Sequence, residues 1–151
     1  MYTRKTGDRY YFDTDGFEFE SEIVDIVSRF AKRAWGNDTI KFATTQQDRY
    51  EGTDLFVLGI PTDFTLAFAD KNKTRKLGDM VLDGVTVDFG VRFGNGKSVF
   101  QTPVLVMGVK TALGITRTNM WVALEAIKSN IQEILDTGMD KYFDATEAFG
   151  Q

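Results

Sequence analysis

The first guide to the fold is the stretch of residues 51–73, which reads EGTDLFVLGIPTDFTLAFADKNK. Two short apolar segments, residues 54–59 and 63–69, flank the sequence Ile60-Pro61-Thr62, where proline suits the first central position of a turn. Apolar segments joined by a short turn are typical of a β-hairpin. The sequence therefore predicts a hairpin whose turn lies at residues 60–62.

The open end of this predicted hairpin gathers acidic and basic side chains. With the turn at residues 60–62, Asp54 and Asp63 lie at opposite ends, roughly 20 Å apart at ~3.3 Å per residue, so we do not expect them to share an ion. The side chains expected near the open end are those of Glu51, Asp54, Asp70, Lys71 and Lys73. A shift of one residue in register decides whether Asp70 or Lys71 shares a face with Asp54, and the sequence leaves both arrangements open.

Two interpretations of this cluster follow from its chemistry. Two or three converging carboxylates suit Mg²⁺, which prefers oxygen ligands, and a nearby lysine can help to activate water and stabilise a phosphoryl transition state. The alternative is structural: Asp54 begins a strand, and residues 71–76 form a solvated loop.

Further strands are predicted on both sides of the hairpin. Short strands are expected at residues 9–13 and 39–44, and residues 70–79 read as a polar, basic loop. Residues 85–93 alternate apolar and polar side chains, and Asn95-Gly96 predicts a hairpin turn that returns the chain into residues 99–109.

Two amphipathic helices are predicted at the ends of the chain. The first starts near Phe17 and ends at Gly36, and the second runs from about Asn119 to Thr137 and ends at Gly138, with a last short helix at residues 142–149. The order of elements predicts one α+β domain over residues 1–151. We expect a mostly antiparallel or mixed β-sheet, made of two hairpins and flanking strands, against which two long amphipathic helices pack.

Composition narrows the chemistry. The chain of 151 residues contains no histidine and no cysteine, which excludes histidine-based catalytic triads and zinc fingers and leaves carboxylate, lysine and Mg²⁺ chemistry, or no catalysis. The net charge of −4 argues against coating duplex DNA, but it allows a local basic patch or a basic partner. With no secretory h-region and no apolar run of ~20 residues, we expect a cytoplasmic protein without membrane contact.

The region of residues 17–110 resembles the PD-(D/E)xK nuclease superfamily. The resemblance is carried by a helix acid, Glu20 or Glu22, by Thr53-Asp54 and by the cluster Asp70-Lys71-Asn72-Lys73. It implies Mg²⁺ held by Asp54, Asp70, Glu22 and Glu51, with Asp54, Asp70, Lys71 and Lys73 as the catalytic set. No proline precedes Asp54 and no Asp/Glu-x-Lys triplet occurs, departures that point to a degenerate site.

Three functions are consistent with these features. The first is a Mg²⁺-dependent nuclease or a degenerate relative, in which Lys71, Lys73, Arg75 and Lys76 contact nucleic-acid phosphates. The second is a non-catalytic acidic protein that binds a basic partner, in general character like the inhibitors of phages and mobile elements, including anti-CRISPR proteins. The third is a structural subunit held by its sheet edge or by a phenylalanine-rich surface. The sequence leaves enzymatic activity and oligomeric state open, a homodimer included.

Overall fold

The structure is a computed structural model that describes residues 8–42, 55–66, 74–92, 103–111 and 119–149. The helices are α1 (Asp8–Trp35), α2 (Met120–Ser129) and α3 (Ile131–Phe149), with a short 3₁₀ helix at Asn37–Thr39. The strands are β1 (Ile40–Phe42), β2 (Leu55–Val57), β3 (Ile60–Leu66), β4 (Thr74–Leu82), β5 (Val85–Arg92) and β6 (Val104–Thr111). No helix among these ranges combines the length and the apolar character that a membrane span requires.

The six described strands form one mixed sheet in the order β1-β2-β3-β6-β5-β4. Neighbouring strands are antiparallel, except that β3 and β6 run parallel at the centre, where Thr62 pairs with Leu105 and Phe64 with Met107. The predicted α+β class is confirmed. The described residues contain three α-helices, whose lengths differ from those of the two long helices and the last short helix that were expected. The central parallel pair makes the sheet mixed.

The helices pack on one face of this sheet and enclose the core. Along α1, four buried side chains at i, i+4 spacing face inward: Phe19, Ile23, Val27 and Ala31. On the sheet, Phe64, Met107 and Phe89 are buried and point to the same face, because paired residues on neighbouring strands share a face. Full burial of one such side chain contributes about 1.5–3 kcal/mol. The opposite face of the sheet carries the charged side chains described below.

Helix α1 starts earlier than predicted, whereas its predicted end at Gly36 is confirmed. The helix begins at Asp8, so the strand expected at residues 9–13 is wrong, as is a helix start near Phe17. The turn-like residues 13–16 are weak signals, because one glycine costs a helix only about 1 kcal/mol and extending a helix is cheaper than starting another element. At the other end Gly36 has φ 109° and donates its N–H to the Lys32 carbonyl at 3.1 Å, as a helix-ending glycine does.

The first hairpin turns two residues earlier than predicted. Leu58 and Gly59 form the turn with φ of 51° and 83°, and Pro61 lies inside β3, opposite Phe56. A two-residue turn with both φ values positive matches the twist of the two flanking strands. The proline at position 61 suggested a later turn and drew the prediction away from Leu58-Gly59. The last described pair is Leu55 with Thr62. The separation expected between Asp54 and Asp63 rested on the wrong turn and no longer follows.

A second hairpin replaces part of a predicted loop. From Thr74 onward the loop expected at residues 70–79 is strand β4, which pairs with β5 through a turn at Asp83 and Gly84, with φ of 45° and 86°. Asp83-Gly84 is itself a strong hairpin signal in the sequence. The strand expected at residues 85–93 is confirmed as β5, and it pairs antiparallel with β6. The predicted Asn95-Gly96 turn lies outside the described residues.

The predicted second helix is two helices. Helix α2 stops at Ser129, where Asn130 donates its backbone N–H to the Ile127 carbonyl at 3.1 Å and its side-chain amide to the Ala126 carbonyl at 2.7 Å. Helix α3 then continues past Gly138 to Phe149 and absorbs the short helix expected at residues 142–149. Gly138 is therefore not a helix end. It is buried inside α3, against the sheet.

Candidate functional site

Most of the predicted catalytic cluster cannot be placed. Glu51, Asp54, Asp70, Lys71 and Lys73 lie outside the described residues. The members that the structure places are Glu22, Arg75 and Lys76. In the described ranges, no group of three or more acidic, histidine or cysteine side chains is arranged to hold a metal ion.

Arg75 and Lys76 are not brought together. Arg75 pairs with Val91 and points to the helix side of the sheet, whereas Lys76 pairs with Gly90 and points to the opposite side. Lys76 Nζ lies 3.2 Å from Asp79 Oδ2 and 3.3 Å from Asp88 Oδ1. The hydrogen bond to Asp79, followed by the interaction with the Asp88 carboxylate, raises the pKa of Lys76 above its usual value. Two carboxylates therefore compensate the charge that was expected to meet a phosphate.

Lys76 belongs to a charged group on the face away from the helices, which we call the sheet-face cluster: Lys76, Asp79, Asp88 and Lys110. Asp88 is buried, with a residue exposure of 4%, and it lies directly opposite Asp79. Lys76 contacts both carboxylates, and Lys110 Nζ lies 3.2 Å from Asp88 Oδ2. Like charges opposite one another destabilise a sheet. The two lysines offset that repulsion, so the cluster reads as a structural ion-pair network.

The two oxygens of Asp88 are not equally well satisfied. Oδ1 has the ion-pair contact with Lys76, at 3.3 Å, but no well-aligned hydrogen bond. The Coulomb attraction offsets part of the cost of burying the carboxylate, although a buried oxygen without an aligned donor still costs free energy. This network joins side chains of β4, β5 and β6, and the cost of burying Asp88 offsets much of the attraction between its charges.

A second ion pair on the same face joins β5 to β3. Sequence spacing places Asp88 and Arg92 on one face of β5, and the structure agrees, but each has another partner. Arg92 Nη2 lies 3.0 Å from Asp63 Oδ2, and both side chains are about one-fifth exposed. Asp63 comes from β3, across the intervening strand β6. A single-strand pattern cannot identify such partners.

Within the described residues, a concave surface lies elsewhere, between α1 and α2. This α1–α2 groove has a volume of about 320 Å³. Its lining combines apolar side chains (Ile26, Phe30, Trp121, Leu124, Ile131) with charged ones (Glu22, Asp25, Arg29, Arg33, Glu125, Lys128). Trp121 is 64% exposed, and the neighbouring Val122 is also exposed. An exposed tryptophan beside apolar side chains is uncommon on a surface that contacts only water.

Glu22, the predicted helix acid, lines this groove. Helix α1 packs on the opposite side of the sheet from the sheet-face cluster, so Glu22 and Asp88 cannot act on one ion. On the same rim, Asp25 Oδ2 and Arg29 Nε form an exposed ion pair at 3.1 Å. Trp121 was not among the predicted site residues. In the sequence, the adjacent apolar residues Trp121 and Val122, near the start of the predicted second helix, are the signal that could have indicated this surface.

Comparison with known proteins identifies no relative: no protein-family model, no curated protein and no solved structure matches the chain.

Proposed function

We propose that this chain is a non-catalytic binding protein that recognises a protein partner through the α1–α2 groove. The observation that carries the proposal is the exposure of Trp121 at 64%, beside the apolar side chains of Ile26, Phe30 and Leu124. Tryptophan and arginine dominate the binding energy of protein interfaces when water is excluded from them. A partner that covers Trp121 removes a large apolar side chain from water.

The groove suits a protein partner better than a small molecule. Its volume of about 320 Å³ is at the lower end of small-molecule sites, which are about 300–1,000 Å³, and much of its apolar surface stays exposed. Charged side chains of both signs form its rim, and an apolar centre within a polar rim is the usual composition of a protein interface. The net charge of −4 favours a basic partner over nucleic acid, in line with an inhibitor of phage or mobile-element type.

The proposal is tested by exchanging the tryptophan. Tagged wild type, Trp121→Ala and Phe143→Ala proteins are used to capture partners from a cell lysate, and each captured protein is quantified. Phe143 is a matched control, because it is exposed on α3 and does not line the groove. We expect Trp121→Ala to capture about tenfold less of a specific partner than the wild type does, and Phe143→Ala to capture as much as the wild type. A captured partner that binds all three proteins equally would contradict the proposal.

A metal-dependent nuclease is the second candidate. It rests on the resemblance of residues 17–110 to the PD-(D/E)xK nucleases, and the Leu58–Gly59 turn removes only the argument that kept Asp54 away from Asp63. In this proposal Asp54, Asp70, Glu22 and Glu51 bind Mg²⁺, and Lys71 and Lys73 stand beside it, as the resemblance to PD-(D/E)xK nucleases implies. Such a site would supply an activated water for phosphodiester hydrolysis.

The nuclease proposal predicts a response to metal. Mg²⁺ or Mn²⁺ should raise the melting temperature of the wild type, and Asp54→Ala should abolish this rise together with any cleavage of DNA or RNA. Asp140→Ala, which removes an exposed aspartate of α3, is the control and should behave as the wild type. The proposal fails if metal shifts neither melting temperature and no cleavage occurs.

A further inference from the structure

We infer that the protein partner of the α1–α2 groove is a second copy of this chain, bound across a two-fold axis. The inference rests on the proposed binding function and names its partner. It comes from the order of charges along the α1 side of the groove. Glu22 and Asp25 are followed by Arg29 and Arg33, so this rim is acidic in its first half and basic in its second.

The spacing of these four residues places them in one stripe. They stand at positions i, i+3, i+7 and i+11 of one helix, over a length of about 16 Å. When two copies of α1 cross antiparallel, Glu22 of each copy faces Arg33 of the other, and Asp25 faces Arg29. A parallel alignment would set acid against acid. The charge order therefore selects the antiparallel arrangement, in which the two-fold axis repeats every favourable contact.

Apolar side chains lie where this symmetry would place the centre of the contact. Ile26 and Phe30 stand between the charged positions on the same wall of the groove, and Trp121 stands on the opposite wall. In a two-fold pair, Trp121 of each copy covers part of the other copy's groove. The apolar side chains then supply affinity, while the charges set orientation and exclude the parallel alignment.

The intrachain ion pair does not compete strongly with this arrangement. Asp25 and Arg29 contact each other at 3.1 Å, but both side chains are substantially exposed, at 48% and 78%. Exposed pairs at i, i+4 contribute little to stability, because water screens them. Helix α2 also contributes one acid and one base to the facing wall, Glu125 and Lys128.

The test uses two complementary variants in sedimentation equilibrium. One carries Glu22→Arg and Asp25→Arg and has an all-basic rim on α1. The other carries Arg29→Glu and Arg33→Glu and has an all-acidic rim. We expect the wild type to dimerise and each variant alone to dimerise roughly 30-fold more weakly or worse. An equimolar mixture of the two variants should form a heterodimer, because opposite rims then meet along the whole stripe. This recovery also shows that both variants are folded.

Other outcomes separate the inference from the proposed function. A wild type that stays monomeric at about 100 μM, or charge variants that each dimerise as the wild type does, would overturn the inference. If, in addition, Trp121→Ala loses capture of a different protein, the binding function stands and only its partner is wrong. If dimerisation is lost in Trp121→Ala and kept in Phe143→Ala, both the function and the inference are supported.

Discussion

Leu58 adopts a backbone conformation that residues with a side chain rarely adopt. Its φ is 51°, in the first hairpin turn, and its side chain is 49% exposed, so little burial compensates for the conformation. A left-handed conformation costs an ordinary residue about 1–2 kcal/mol, whereas asparagine and glycine tolerate it. The turn forms despite the unfavourable conformation of Leu58. Gly59, with φ 83°, takes the second left-handed position without steric strain.

Replacing Leu58 should therefore stabilise the protein. We expect Leu58→Asn to raise the free energy of unfolding by about 0.5–1 kcal/mol, measured by urea denaturation, because asparagine suits the first position of this turn. Gly59→Ala is the matched control and should lower it by about 1 kcal/mol, since no atom lies near the added Cβ and only backbone strain acts. A destabilised Leu58→Asn would show that the exposed leucine contributes packing that outweighs the strain.

Tyr142 provides a residue-scale prediction with a defined pH window. Its hydroxyl donates a hydrogen bond to the Pro103 carbonyl at 2.8 Å, and burial raises its pKa above the usual value. A raised folded-state pKa means that the stabilisation is complete below about pH 10 and is lost as pH rises from there toward the folded-state pKa.

We therefore expect Tyr142→Phe to lower the free energy of unfolding by about 0.5–1.5 kcal/mol near neutral pH, because Pro103 loses its donor. The difference between the wild type and the variant should shrink as pH rises above about 10, since only the wild type must keep a buried phenol protonated. Urea denaturation at a series of alkaline pH values measures this. A difference that stays constant across the series would mean that the phenol does not ionise differently on unfolding.

At the scale of single residues, sequence predicted types of side chain better than their partners. The alternation predicted for residues 85–93 places Asp88 and Arg92 on one face of β5, but Asp63 and the two lysines that pair with them come from other strands. Adjacent residues in a strand point to opposite faces, which separates Arg75 from Lys76 once β4 is known to be a strand. The sequence did not predict this separation, because residues 70–79 were expected to form a loop.

At the scale of elements, repeating apolar patterns were reliable and glycine signals were ambiguous. The alternation in β5 and the buried stripe of α1 predicted both elements, because burial on one face requires such patterns. Gly36 ends a helix as predicted, whereas Gly138 lies in the middle of one. Sequence does not distinguish a glycine that ends a helix from one that lets a helix approach a sheet. That depends on what packs opposite.

Gly138 gives the element-scale prediction. A Cβ at this position would lie 3.2 Å from two ring carbons of Phe89 and 3.4 Å from the Met107 sulfur. We expect Gly138→Ala to lower the free energy of unfolding by about 1 kcal/mol, because overpacking costs about 1–3 kcal/mol and the gain in helix propensity offsets only about 0.5–1 kcal/mol. Chemical denaturation measures the change.

A double-mutant cycle with Phe89→Leu provides the control for Gly138. Relieving the contact from the sheet side should make Gly138→Ala less costly, or favourable, in the Phe89→Leu background. If the cost of Gly138→Ala is the same in both backgrounds, close packing of α3 on β5 is not the reason for the glycine.

At the scale of the whole molecule, the class of fold was predictable and its topology was not. Short turns between successive strands favoured an antiparallel sheet. Each half of the sheet, β1-β2-β3 and β4-β5-β6, is antiparallel and is built from strands that follow one another in the chain. The junction between the halves pairs β3 with β6, strands far apart in the chain. No local pattern specifies that pairing, because it depends on how two formed halves meet.

That central junction also bears on how the chain folds. Each half can form from local contacts. Pairing Thr62 with Leu105 closes a loop of about forty residues, and the entropy cost of that closure must be met before the contacts between β3 and β6 stabilise the sheet. High contact order of this kind slows folding. We therefore expect the two halves to gain structure early and the parallel pairing of β3 with β6 to set the folding rate. The pairing of β3 with β6 also determines when the helices come together. Helix α1 contacts β1 and β3, whereas α3 contacts β4, β5 and β6, so α1 and α3 can pack side by side only after the two halves of the sheet have joined.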